Sequence, residues 1–309
     1  MHEMKRLQDA CKKNGPLCVG LDTDSSYIPP EILKNYSSET EAVLAYNKEL
    51  IEVCSPFAGC FKVQIAYYEA MGLAGMKVFT ETLKILRKKN IPFISDIKRG
   101  DIADTAKAYA RAHFSGDFEA DIITVNPYMG FDTLEPFTEY CKKENGAKGM
   151  FVLLRTSNPG MIDIEKQELA KGGVVLDHVG QHLLSLADVL AKSYGVSGDW
   201  EGSCSPIGAV VGCTEESDAR LLRDKYPNIF FLIPGYGAQG GSARIAATLL
   251  DKAGGTVNSS RGILCAWKKD ADLKDKRDGK TLTMDDIITS AQKAAKKAKE
   301  DLLEAVCEL

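Results

Sequence analysis

The chain has 309 residues, of which 44% are hydrophobic and 27% are charged, and its formal net charge at pH 7 is -4. A chain of this length buries a large core, and it exceeds the usual size of one domain unless the fold is a barrel. The slightly acidic balance excludes a global basic field that would attract nucleic acid or anionic lipid, so an anionic ligand needs a local site.

The cysteines and the amino-terminal residues indicate the compartment. Nine cysteines are scattered along the chain and never form a C-x-x-C pair, which is typical of reduced thiols rather than a disulfide framework or a zinc site. The first twenty residues are too charged for a signal peptide, and no apolar run approaches membrane-spanning length. We therefore expect a soluble, cytoplasmic protein with no nucleic-acid or membrane partner.

Eight short apolar or β-branched runs recur along the chain, and each predicts a β-strand. The segments between them are helix-like, with apolar residues three and four apart, as in 76–86. Because the runs are apolar throughout rather than alternating, they are typical of strands buried on both faces of a parallel sheet. The runs are LCVGLD (17–22), GCFKVQ (59–64), PFISDIK (92–98), DIITVNP (121–127), GMFVLLRTS (149–157), IGAVVG (207–212), IFFLIPG (229–235) and GTVNSSRG (255–262).

This order of elements predicts an α/β fold, the (β/α)8 TIM barrel, because eight such units in about 250 residues are what that barrel needs. An open doubly wound sheet is the alternative, but no G-x-G-x-x-G follows the first run. We expect one domain, residues 1–309, closed by a capped helix at 285–307. The long connection at about 158–206, after the fifth strand, predicts an insertion that is a candidate subdomain or lid.

Charged residues gather where the third strand ends, in FISDIKRGDIADT (93–105). Catalytic side chains of a (β/α)8 barrel lie at the carboxyl ends of its strands. Asp96 and Lys98 are two residues apart, so both point into the barrel mouth, and Asp101 falls in the following turn. A solvated surface turn is the alternative, but an unpaired carboxylate so close to an apolar core would be costly. Lys62, which alone could be a snorkelling lysine, completes a set of two acids and two bases.

Two later loops predict a phosphate site. Glycines in IPGYGAQGG (233–241) let backbone N–H groups approach an anion, and Arg261 in NSSRG (258–262) supplies a paired hydrogen-bond clamp. Barrel phosphate sites are commonly built from the loops after strands seven and eight. RTSNPG (155–160) offers Ser157 to the edge of an amide-like ring, although by itself this is an ordinary turn.

Taken in chain order, GLDTD, FKVQ, DIKRGDIADT, RTSNPG, PGYGAQGG and NSSRG resemble the motifs of the orotidine 5′-phosphate decarboxylase family, in its longer bacterial branch. The resemblance spans residues 17 to 262. It implies cofactor-independent decarboxylation of orotidine 5′-monophosphate (OMP) to uridine 5′-monophosphate (UMP), the last step of de novo pyrimidine biosynthesis. It also implies a homodimer with shared sites.

The resemblance further implies a role for each matching residue. Lys98 would stabilise the C6 carbanion and then protonate it, as the active member of a Lys-Asp-Lys-Asp network. The other catalytic residues would be Lys62, Asp96 and Asp101. The implied substrate-binding residues are Asp22 with Lys62 for the ribose, Ser157 for the pyrimidine, Gln239 and Arg261 for the phosphate, and Ile102 and Thr105, which with Asp101 would cross into the neighbouring subunit.

Two other functions remain open from the sequence. A magnesium-dependent sugar-phosphate decarboxylase or aldolase of the same superfamily shares the D-x-K-x-x-D array, although Ser157 and the GAQGG loop favour a pyrimidine nucleotide. A catalytically silent nucleotide-binding barrel would carry an idle set of buried charges, which is costly. We expect no cofactor and no metal site, since His178 and His182, one helical turn apart, have no third ligand.

Overall fold

The computed structural model describes residues 1–198, 200, 203–212, 215–236 and 243–309. In this part of the chain, eight parallel strands follow one another around a closed barrel, with the last strand paired to the first. Seven of the eight apolar runs contain one of these strands, and β3 extends one residue beyond its run, so the predicted (β/α)8 barrel is confirmed. The strands are β1 (Leu17–Leu21), β2 (Cys60–Gln64), β3 (Phe93–Arg99), β4 (Ile122–Val125), β5 (Gly149–Arg155), β6 (Ile207–Val211), β7 (Phe231–Ile233) and β8 (Gly255–Ser259).

Helices surround the barrel, and at least one follows each strand. Among the described residues, no helix has the length and apolar character needed to cross a membrane. The α-helices are α1 (Glu3–Asn14), α2 (Pro30–Leu33), α3 (Glu39–Cys54), α4 (Ile65–Glu69), α5 (Gly72–Lys88), α6 (Ala103–Phe114), α7 (Glu135–Cys141), α8 (Val175–Tyr194), α9 (Glu216–Lys225), α10 (Ala243–Leu250), α11 (Arg261–Leu264), α12 (Lys274–Asp278) and α13 (Met284–Cys307).

The apolar residues form two cores. The larger core fills the layer between the barrel and its helices. The smaller one joins inward-facing strand residues such as Ile94 and Phe151 to Met4 and Leu7 of α1. Since α1 bonds to the backbone just before β5 and β8, it closes the amino-terminal end of the barrel. The carboxyl end is therefore the end left open for a site.

The closing helix α13 begins within one residue of its predicted start. The Thr283 side chain accepts the Asp286 N–H, while the Asp286 carboxylate accepts the Thr283 N–H, which completes the predicted capping box. Its apolar stripe, including Ile287, Ala291 and Leu302, is buried against the barrel layer. The helix thus covers the last gap in the outer ring.

The long connection after β5 contains a helix that belongs to the barrel. α8 lies inside the predicted insertion of about 158–206, and its buried face, which includes Leu183 and Leu190, makes it the crossover helix between β5 and β6. The stretch that exceeds a minimal crossover on the carboxyl side of β5 is the β5–α8 connection (156–174). Glu165 ties this connection down, because its carboxylate accepts from the Thr156 N–H at 3.0 Å and from the Thr156 hydroxyl at 2.6 Å.

Candidate active site

Asp96 is at the centre of a polar cluster at the carboxyl end of the barrel. Its Oδ1 accepts hydrogen bonds from Lys98 Nζ at 2.7 Å and from Thr124 Oγ1 at 2.8 Å. Its Oδ2 accepts from Lys62 Nζ at 3.1 Å and from Gln64 Nε2 at 2.9 Å. Four donors from three neighbouring strands therefore fix a single carboxylate, which can neither rotate nor take on water without losing a bond.

Asp22, just beyond β1, extends the cluster. Its Oδ1 lies 2.9 Å from Lys62 Nζ, and its Oδ2 accepts from Ser260 Oγ at 2.8 Å. Ser260 Oγ in turn accepts from Asn258 Nδ2 at 3.1 Å. Gly20 makes room for this chain of bonds, because a Cβ at that position would lie 2.0 Å from Ser260 Oγ. Acid and base thus alternate in the order Asp22, Lys62, Asp96, Lys98.

The charges of this array stabilise one another. Burial alone would lower the pKa of the Lys62 ammonium, but the carboxylates of Asp22 and Asp96 outweigh it and raise that pKa above its usual value. Burial would raise the pKa of Asp96, but the positive charges of Lys62 and Lys98 lower it to about 2. The side chains of Lys62 and Asp96 are only 6% and 7% exposed, whereas that of Lys98 is 45% exposed. Lys98 is therefore the more accessible of the two bases to a ligand.

A cavity of about 390 Å³ opens over the array. Its walls combine Lys62, Asp96 and Lys98 with Ser157 and with apolar side chains of β5, β6 and β7. A neighbouring cavity of about 210 Å³ shares the same three charged residues and continues to Asp22, Ser260 and Arg261. The two form one connected site with apolar side chains at one end and polar groups, Arg261 among them, at the other, which suits a flat ring joined to a polar, anionic group.

The structure brings together most of the predicted site residues. Gly212 makes room for Ser157, since a Cβ on that glycine would lie 2.8 Å from Ser157 Cβ. Gln239 lies outside the described residues. The predicted residues that line the connected cavity are Asp22, Lys62, Asp96, Lys98, Ser157 and Arg261.

Asp101, Ile102 and Thr105 do not line this cavity as the structure describes it within one chain. Asp101 accepts the N–H of Ile102 at 2.8 Å, and Ile102 and Thr105 are exposed. Within the chain, Asp22 rather than Asp101 is the second acid beside Lys62. Because the role expected for Asp101 requires a neighbouring subunit, that role stays a prediction.

Sequence reasoning missed four contributors to the cluster. Gln64 is two residues after Lys62, and Asn258 and Ser260 are likewise two apart, so period-two spacing at the strand ends was an available signal. Thr124 is a lone polar residue within an apolar strand, which by itself indicates nothing about a site. Its partners only become visible once β3 and β4 are paired.

The histidine pair is explained by packing. The rings of His178 and His182 lie 5.1 and 3.9 Å from the ring of Phe131, with His182 stacked on it. In the described part of the chain, no group of three or more His, Cys, Asp or Glu side chains is arranged to hold a metal ion.

Comparison with known proteins identifies the family. The model of the orotidine 5′-phosphate decarboxylase / HUMPS family matches residues 15–275. The chain belongs to this family. An orotidine 5′-phosphate decarboxylase of Clostridium perfringens is 50% identical over 270 residues, which cover 87% of this chain and 91% of that protein. One of Clostridium acetobutylicum is 49% identical over 266 residues, covering 86% and 90%.

The fold comparison agrees with this assignment. The solved structure of Leishmania donovani OMP decarboxylase is similar over 99% of both chains, with a TM-score of 0.71 and 27% sequence identity. The resemblance seen in the motifs therefore extends to the whole barrel.

Proposed function

We propose that this protein decarboxylates OMP to UMP and CO2, the last step of de novo UMP biosynthesis. The observation that carries the proposal is the alternating array of Asp22, Lys62, Asp96 and Lys98 at the open end of the barrel. Relatives 50% identical to this chain bear the name of that enzyme. The family name also covers HUMPS proteins, so a magnesium-dependent sugar-phosphate reaction is the alternative that the test must exclude.

Electrostatics explain how the array could perform this reaction. When the bond between C6 and the carboxylate breaks, CO2 leaves and the electron pair stays on C6 in an orbital that the ring cannot delocalise. A fixed ammonium at C6 stabilises that negative charge and then donates a proton to the carbon. Lys98 suits both steps, because its ammonium is held by Asp96 yet half-exposed to the cavity. Water restores the proton after product release.

The remaining residues would bind and orient the nucleotide. Asp22 and Lys62 would hold the ribose hydroxyls, and Ser157 would bond the pyrimidine edge. Arg261, at the polar end of the cavity, would take the phosphate together with Gln239. Binding energy from the phosphate, remote from C6, would thereby help to close the site and exclude water. Asp96 would also face the substrate carboxylate, where repulsion relieved by CO2 loss is a further contribution.

A homodimer with shared sites is part of the proposal. Asp101 follows Lys98 by three residues on the same open face, and the neighbouring Ile102 is 55% exposed, which fits an apolar contact to a second copy. Asp101, Ile102 and Thr105 would then enter the neighbour's site. Mixing Lys98→Ala with Asp101→Ala protomers would test this, because half of the dimers would carry one intact site and restore about a quarter of the activity. No recovery after verified subunit exchange would exclude sharing.

We also propose that residues 1–309 act as one domain in the cytoplasm. The two cores are continuous with one barrel, and both ends of the chain pack on it through α1 and α13. Independent melting of the β5–α8 connection in calorimetry, as a separate transition, would argue for a subdomain instead.

The central test follows the ultraviolet absorbance of OMP with purified protein, with and without EDTA. We expect turnover to survive the chelator. Lys98→Ala should reduce it by at least about a thousandfold, and Lys84→Ala, on the exposed surface of α5, should leave it unchanged. Absence of turnover by folded wild-type protein would overturn the proposal. Activity on a sugar phosphate that EDTA abolishes would establish the magnesium-dependent alternative.

A further inference from the structure

The strand that carries Asp96 and Lys98 is irregular where it carries them. Ser95 of β3 pairs with Ile123 of β4, and the next pair joins Arg99 to Val125. Four steps along β3 therefore correspond to two steps along β4, so β3 bulges between these pairs. The regular ladder is lost over the residues that bear the charges.

Lys98 has an unusual backbone within this bulge. Its φ is +46°, in the left-handed region that residues with a side chain seldom adopt. Such a conformation persists only when the surroundings hold it. Pairing resumes directly afterwards, where the Asn126 N–H bonds to Arg99 O at 2.8 Å. Something must therefore replace the missing ladder bond at Lys98 itself.

Thr124 supplies that bond from the opposite strand. Its Oγ1 accepts the backbone N–H of Lys98 at 2.9 Å and donates its own proton to Asp96 Oδ1 at 2.8 Å. The residue is fully buried, so both bonds are made away from bulk water. A hydroxyl has one proton to donate and lone pairs to accept with, and here both functions are used by the charged segment of β3.

We propose that Thr124 is a positioning residue for the decarboxylation: its hydroxyl locks the β3 bulge so that the Lys98 ammonium and the Asp96 carboxylate face the reacting carbon in fixed register. This inference rests on the proposed function. Thr124 touches no substrate atom in this role and acts through Lys98 and Asp96. Its contribution is therefore to kcat rather than to the affinity for the nucleotide.

Thr124→Val keeps the shape of the side chain and removes both hydrogen bonds, whereas Thr124→Ser keeps both. We expect Thr124→Val to lower kcat by about tenfold to a hundredfold, as small misplacements of reacting groups do, with KM changed by less than about threefold. Thr124→Ser should restore most of kcat. Thr138→Val is the matched control, because Thr138 is buried in α7 and its hydroxyl donates to the backbone oxygen of Leu134, the residue before that helix.

A second readout does not depend on activity. Hydrogen exchange of the Lys98 amide, followed by mass spectrometry on peptides covering 93–101, should be about tenfold faster in Thr124→Val than in wild type or Thr138→Val. If the wild-type protein shows no turnover, the proposed function fails. The exchange result still tests whether the Thr124 hydroxyl holds the β3 bulge. If Thr124→Val does not fold, Thr124→Cys, with a weaker donor and acceptor, should give an intermediate loss of kcat.

Two results would overturn the role of Thr124. One is a Thr124→Val protein whose kcat and Lys98 exchange match those of wild type. The other is a Thr124→Ser protein as impaired as Thr124→Val, since that would make the methyl group, and hence packing, responsible.

Discussion

The Lys62 ammonium lies 3.1 Å from the Asp96 carboxylate, and solvent reaches only 6% and 7% of the two side chains. The same ammonium lies 2.9 Å from Asp22, so one buried cation bridges two carboxylates, while Lys98 supplies a second positive charge to Asp96. Removing Lys62 would take one buried cationic partner from each acid, and a buried charge that loses its partner is costly. The stability of the barrel mouth and its chemistry therefore depend on the same side chain.

Replacing Lys62 with Met keeps most of its volume and leaves both acids unpaired on one side. We expect the free energy of unfolding at pH 7 to fall by about 3 kcal/mol. Urea denaturation at pH 7 measures this loss. Lys84→Met, in an exposed pair with Glu81, should change stability by less than about 0.5 kcal/mol; equal losses in the two variants would contradict the argument.

Asp96 should contribute a pH-dependent part of the stability. Its pKa is about 2 in the folded chain against an ordinary value of 3.8, so the unfolded state binds more protons between these values and the contribution is lost as pH falls. It amounts to about 2 kcal/mol above pH 5, of which roughly half is lost by pH 3. The Asp96→Asn variant should lack this dependence of stability on pH. The Asp117→Asn variant, changed at an exposed position, should retain it. Parallel wild-type and Asp96→Asn curves from pH 6 to pH 3 would refute the assignment.

Arg261 should discriminate nucleotides from nucleosides. It lines the polar end of the connected cavity and not the part walled by apolar side chains of β5 to β7. Arg261→Ala should weaken UMP binding by about tenfold to a hundredfold, the range for one charge-assisted hydrogen bond, and leave uridine binding unchanged. Isothermal titration with both ligands measures the difference. Arg220→Ala, at a surface arginine that pairs with Asp251, serves as the control. If Arg261→Ala weakened uridine binding as much as UMP binding, Arg261 would not be the phosphate ligand.

Glu165 should control the order of the β5–α8 connection. Its carboxylate holds the N–H and hydroxyl of Thr156, the residue before Ser157. Glu165→Gln weakens both hydrogen bonds to Thr156. We therefore expect KM for OMP to rise by up to about tenfold, with little effect on kcat. Proteolytic cleavage within 156–174 should also become faster. Glu168→Gln, at an exposed position of the same connection, is the matched control. If Glu165→Gln left both the kinetics and the rate of cleavage unchanged, Glu165 would not order this connection.

Much of the fold could be predicted because its signals are local. Each strand of the barrel is an apolar run bounded by polar or turn residues, and the start of α13 follows from the Thr283 and Asp286 side chains bonding within one turn. In the connection after β5, the barrel helix was harder to separate from the inserted residues. Its length is visible in the sequence, but only packing on β5 and β6 distinguishes the crossover helix α8 from the additional residues before it.

The sequence by itself determined the barrel and the meeting of Lys62, Asp96 and Lys98, because parallel strands bring their carboxyl ends to one face and period-two spacing turns Asp96 and Lys98 to the same side. The acid predicted to complete the set was Asp101, whereas within the chain Asp22 is the second acid beside Lys62. Only the tertiary structure decided how that array is held. The bonds from Thr124 and Gln64 to Asp96, and from Ser260 to Asp22, join strands whose relative register no local pattern encodes. The bulge that sets the φ of Lys98 likewise exists only where β3 meets β4.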